Sequence, residues 1–218
     1  MKILVSIIFV LSFISLNAQL NTDSIESILI QLIRKERNSL GRTYLYTSDR
    51  CKKVSKIHLD YTLKYLDGKT YSHDETIPFY SKKVLESPSD RYALFNKDSI
   101  TIKTMDNFYQ KVTTWSYTTE IMTGCYVSDI NEPNINIVIA EKLFNKFKNS
   151  PAHYYSMVKN TIDGQIYRCN FSIGYKEEMV NGYKRYRFDC VGIFDHSVYY
   201  GLEQNFYKKS KESNFYLD

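Results

Sequence analysis

A histidine just behind a Ser-Pro pair is the clearest chemical signal in this sequence. In Asn149-Ser150-Pro151-Ala152-His153 the serine can cap a helix and the proline suits its first position, which makes His153 the third helical residue. The positive helix end disfavours an imidazolium there. His153 is therefore expected to stay neutral at mild pH, the form that binds metals or acts as a general base. A second histidine, His73, lies in the loop segment Tyr71-Ser72-His73-Asp74-Glu75. A third, His58, falls on the packed face of a helix and reads as a core histidine with its bonds satisfied. No G-x-S-x-G elbow, H-E-x-x-H helix or glycine-rich phosphate loop occurs, and the 8 glycines leave little material for such a loop.

The elements that must position these residues are partly legible. Asp23 and Glu26 read as a capping box, followed by an apolar stripe of Ile25, Ile28, Leu29, Leu32 and Ile33, with Gly41 as the stop. Ser48 caps a second helix carrying Cys51, Val54, His58, Tyr61 and Tyr65 on one face, closed by Gly68. Ser87-Pro88-Ser89-Asp90 looks like a helix start, and Ile100 to Lys103 alternates like a short strand. The rest of 76–116 gives no clear period. A third long helix is expected from Ile135 to Lys148, with Ile137, Ala140, Leu143, Phe144 and Phe147 buried. Two strand-like runs, Ile166 to Tyr175 and Tyr183 to Phe194, flank Asn181-Gly182, a hairpin dipeptide. Helices first and a late hairpin indicate an α+β domain with helices covering an antiparallel sheet. An edge strand and a frayed tail are expected from His196 onward.

The first residues bear on the compartment. Lys2, the apolar run Ile3 to Phe13, and then Ser15, Asn17 and Ala18 form a signal-peptide pattern, with cleavage expected near Ala18 or Gln19. The run is shorter than the roughly 20 residues a stable span takes, so no membrane span is expected after cleavage. The parts are then a leader at 1–18, one domain at 20–195 and a tail at 196–218, in a secreted, extracellular or periplasmic protein. The formal charge of +5 is spread along the chain rather than clustered, so no nucleic-acid groove is indicated. An even number of cysteines in an exported chain favours disulfides. Cys169 and Cys190 flank the hairpin signal and are the first pair expected, which leaves Cys51 with Cys125. None stands at CxxC spacing, which argues against zinc held by cysteine.

Several segments together resemble the CAP superfamily (cysteine-rich secretory, antigen 5 and pathogenesis-related proteins), in its bacterial extracellular type. Leu32-Ile33-Arg34-Lys35-Glu36-Arg37-Asn38-Ser39-Leu40-Gly41 is similar to the opening helix of those domains. Tyr71-Ser72-His73 resembles their F-S-H, Thr119-Glu120-Ile121 their G-E-N-I, Asn149 to His153 their N-S-P-G-H, and Ile173-Gly174 their closing hairpin. The resemblance runs from about 25 to 195. It implies a three-layer α-β-α sandwich with a central antiparallel sheet. It also implies a cleft lined by His73, Glu120 and His153, with His58 near a position that is often polar. The Gly and Asn of G-E-N-I are missing here, and the family's second cleft glutamate has no counterpart. Two histidines and a carboxylate can hold Zn²⁺ with a fourth position for water, with His73 and His153 as the candidate ligands. The function implied is binding of a small ligand, either lipid or metal, or of an extracellular protein. The alternative is a metal-assisted hydrolase using His73, His153 and Glu120.

Overall fold

The computed structural model describes residues 19–66, 71–76, 87–94, 100–103, 109–112, 114–161 and 166–199. The expected leader, Gly68 and the tail beyond 199 lie outside the described residues. The sheet grows from one hairpin, β5 (Ile166–Val180) and β6 (Tyr183–Tyr199), which pair antiparallel along their length. Asn181 (φ 51°) and Gly182 (φ 82°) form the two-residue turn, both left-handed, as a type I′ hairpin requires. β4 (Thr114–Val127) pairs antiparallel with the other side of β6, and β1 (Leu45–Thr47) pairs parallel with β5 at Tyr167–Cys169. The order is β1-β5-β6-β4. The expected α+β architecture therefore forms, but the sheet is mixed rather than antiparallel throughout, and β6 runs through its centre rather than along an edge. A separate two-stranded sheet joins β2 (Ile100–Lys103) to β3 (Tyr109–Val112).

Strand alternation divides the core. Tyr167, Cys169, Phe171 and Ile173 of β5 join Phe188, Cys190 and Phe194 of β6 and Ile121 and Cys125 of β4 on one face. That face is covered by α1 (Thr22–Ser39), α4 (Ile135–Lys148) and α5 (Pro151–Val158) through Ile25, Leu29, Ile33, Leu143, Phe147 and Met157. On the opposite face, Met122, Val191 and Ile193 pack against α2 (Asp49–Tyr65) and α3 (Pro88–Ala93), which supply Cys51, Val54, Leu59 and Tyr92.

The helix ends follow their caps. Asn21, not Asp23, caps α1, accepting from the Ser24 N–H at 3.0 Å. At the other end, Arg42 N–H bonds Arg37 O and Gly41 N–H bonds Asn38 O, a Schellman closure. Ser48 Oγ accepts from Cys51 N–H and caps α2 as expected. Ser87 and Asp90 form a full capping box at the start of α3. Ser150 precedes Pro151 at the start of α5, but its side chain makes no capping bond. Among the described residues no helix is long and apolar enough to cross a membrane.

The expected disulfides do not form. All four cysteines are buried free thiols. Cys190 lies opposite Ile173, and Cys169 opposite Phe194. This register separates the two cysteines by roughly 13 Å along the strands at about 3.3 Å per residue, well beyond the reach of a disulfide. Cys51 and Cys125 belong to core clusters on opposite faces of the sheet.

Candidate functional site

The site is assembled where α2, the loop 71–76, α3 and β4 meet. His58 is fully buried on the sheet-facing side of α2. Its Nδ1 lies 3.0 Å from Glu75 Oε1, its Nε2 lies 3.0 Å from Ser72 O, and its ring stacks on Tyr61. Both ring nitrogens therefore face oxygen acceptors. Ser72 O accepts from one side of this ring and His73 O accepts from Arg91 Nη2 at 2.8 Å, so the loop is pinned on both sides of His73.

Arg91 is fully buried and fans across two carboxylates. Its Nη2 donates to Glu120 Oε1 and Oε2 at 2.9 and 2.8 Å, and its Nη1 lies 3.4 Å from Glu75 Oε1. Glu120 reaches this spot because even positions of β4 point toward the α2 side, beside Met122 and Gly124. Burial alone would raise the Glu120 pKa. The hydrogen bond from His73 and the electrostatic influence of His58 and Arg91 outweigh that and hold it below its ordinary value. Glu120 is thus a fixed carboxylate. The other oxygen of Glu75, Oε2, has no hydrogen-bond partner among the described residues.

His73 stands at the surface of this cluster, its side chain 45 % exposed. Its Nδ1–H donates to Glu120 Oε1 at 2.9 Å, which leaves Nε2 as the outward-facing nitrogen. A buried carboxylate on one ring nitrogen fixes both the tautomer and the orientation of the other. His153 is half-buried at the start of α5, its ring edge-on to Phe147 at 5.5 Å. Its pKa is lowered, first by burial and then by the charge of His73. The neutral form expected from the helix end is therefore favoured, but for a different reason. His153 is thus within electrostatic reach of His73, while α5, which carries it, packs on the α1 and α4 side of the sheet.

The structure thus places His73 on Glu120 and puts His58 behind Glu120 at 3.7 Å, fully buried, while His153 on α5 sets its ring against Phe147. Glu75 and Arg91 were missed from sequence. The only hint was Arg91's place directly behind a capping box. The arrangement does not fit a three-ligand zinc centre: Glu120 is already occupied by Arg91 and His73. Among the described residues, no group of three or more His, Cys, Asp or Glu is placed to hold a metal ion. A hollow of about 230 Å³ lies elsewhere, beside α1, with Asp23, Glu26, Gln31, Arg34 and Asn170 in its wall. It contains no histidine, and its Glu26 is held by Lys52 and the Ile173 N–H.

No protein-family model and no curated protein matches this chain. Among solved structures it is similar to an outer surface protein from Borrelia burgdorferi. That likeness has 18% identity and a TM-score of 0.43, covering 81% of this chain and 95% of the other.

Proposed function

We propose that the chain is an exported domain of the CAP superfamily, a three-layer α-β-α sandwich whose His73–Glu120–His153 cleft binds a small extracellular ligand. Helices on both sides of the sheet support the sandwich. The leader-like start of the sequence supports export. One observation carries the binding reading: His73 is oriented by Glu120, and Glu120 is in turn anchored by buried Arg91. Such a ring holds its outer nitrogen at a fixed place, suited to hydrogen bonding with the polar head of a small ligand, such as the hydroxyl of a lipid.

The test is titration of the purified protein with a panel of fluorescent sterols and fatty acids. Saturable uptake is expected, weakened in His73→Ala and His153→Ala proteins whose urea unfolding midpoints are unchanged. No saturable uptake across the panel, or uptake indifferent to both substitutions, rejects the reading.

A further inference from the structure

The outer edge of β5 is closed along one half and open along the other. Beyond the short pairing with β1, the Ser48 backbone and then side chains take the place of a neighbouring strand. Cys169 O accepts from Ser48 N–H, and Phe171 N–H donates to Asn170 Oδ1. Phe171 O accepts from Lys52 Nζ, and Ile173 N–H donates to Glu26 Oε1. Lys52 and Glu26 are themselves an ion pair. Together they supply the donor and acceptor that a longer β1 would have supplied. The outward-facing groups are thus those of the odd-numbered residues, and period two assigns the next ones to Tyr175, Glu177 and Met179. Among the described residues no strand or side chain caps these groups, since β1 pairs only up to Cys169. The open half is also where large apolar side chains are exposed, Tyr175 at 43% and Met179 at 64%.

We propose that this open edge, Gly174 to Val180, is a homodimer interface formed by antiparallel addition of the same strand from a second copy. The strand is complementary to itself in one register. With the two-fold axis at Glu177, Tyr175 lies opposite the partner's Met179, and Lys176 lies opposite the partner's Glu178, a carboxylate that Arg185 and Arg187 of its own hairpin also hold. The apolar pair falls on one face of the sheet and the opposite charges on the other. The odd-numbered residues then exchange N–H···O bonds, as their outward direction requires. The two Glu177 side chains face each other, and each is offset by its own Lys184 at 2.9 Å. The product is one continuous sheet with an isologous interface. A strand-sized contact sits at the small end of stable interfaces, so the association depends on protein concentration.

The experiment is sedimentation equilibrium of the purified chain over a range of concentrations, beside three variants. Glu177→Pro removes the outward N–H at the axis without touching the β5–β6 ladder. Met179→Asp places a carboxylate in the apolar pair. Glu177→Gln removes the like-charge contact. The expected result is a monomer–dimer equilibrium that Glu177→Pro and Met179→Asp shift to monomer by more than tenfold in dissociation constant and Glu177→Gln tightens. Circular dichroism reports folding, and Met179→Asp decides the matter if the proline variant misfolds. A wild-type chain that stays monomeric throughout overturns the proposal. So does a dimer that persists in folded Glu177→Pro or Met179→Asp protein.

Discussion

Removing Arg91 would leave Glu75 and Glu120 buried without the guanidinium they share. Breaking a buried ion pair from one side costs about 3–5 kcal/mol, so Arg91→Met is expected to lower the unfolding free energy by about that much, as read from urea denaturation. Acid acts on the same cluster. Glu120 has its folded pKa below the ordinary 4.5, and His153 below the ordinary 6.5. In both cases the unfolded chain binds protons first as pH falls, so stability declines toward acid. The His153 contribution fades as pH drops through about 6.5 and the Glu120 contribution at lower pH, through its folded pKa. Urea midpoints measured down the pH scale should show this order, and His153→Gln should flatten the first part of the decline. His73 and Glu120 stand in recognisable local sequence, and the structure brings these two together. Glu75 and Arg91 were not legible, because each takes its role from partners on other elements, and an arginine in a short helix reads as surface.

Among the elements, β4 and the loop 71–76 are fitted to each other at Gly124. A Cβ there would lie 1.9 Å from Tyr71 Oη and 2.8 Å from the Phe188 carbonyl. The tyrosine could swing away, but the backbone carbonyl could not. Tyr71 Oη also donates to Asp189 Oδ1 at 2.6 Å, and Asp189 is fully buried. Gly124→Ala is therefore expected to destabilise the protein more than Tyr71→Phe, which loses only the hydrogen bond, and to loosen the loop that carries His73. Thermal unfolding of the two variants, with proteolysis of the loop, checks the order. Helices with capped ends and the Asn181-Gly182 hairpin were readable because their signals are local. Asn21 was overlooked as the α1 cap because Asp23 and Glu26 fit the same rule two residues later. β1 is too short to show alternation. β4 went unread because Thr114 to Val127 mixes Thr, Ser, Tyr and Gly with few aliphatic residues, and only burial against both helical sides reveals it as a strand.

At the scale of the whole molecule, the cysteines behave as core residues. Burial raises the Cys51 thiol to about 12 and that of Cys125 to about 11, and pushes Cys169 and Cys190 up as well. Thiolates are the reactive form. All four are expected to resist an aromatic disulfide reagent in the native protein and to react together in denaturant, with no mass change on reduction. A cysteine that reacts natively, or a bridge found by mass spectrometry, would refute this. The sequence suggested bridges from number, compartment and the cysteines' places on either side of a hairpin signal, and strand register, which decides the distances, is not visible there.

The hairpin 166–199 has a further consequence for the order of assembly. Among the described residues, β1 pairs only with β5, and β4 only with β6. Both strands made earlier in synthesis therefore wait for the last-made one to find a neighbour, and α1 and α2 wait for a surface to cover. Contacts so distant along the chain close slowly. A ribosome that stopped before Ile166 would release helices, the small β2–β3 sheet, and β1 and β4 with no neighbour to pair with. The four-stranded sheet therefore cannot close before β6 has been made.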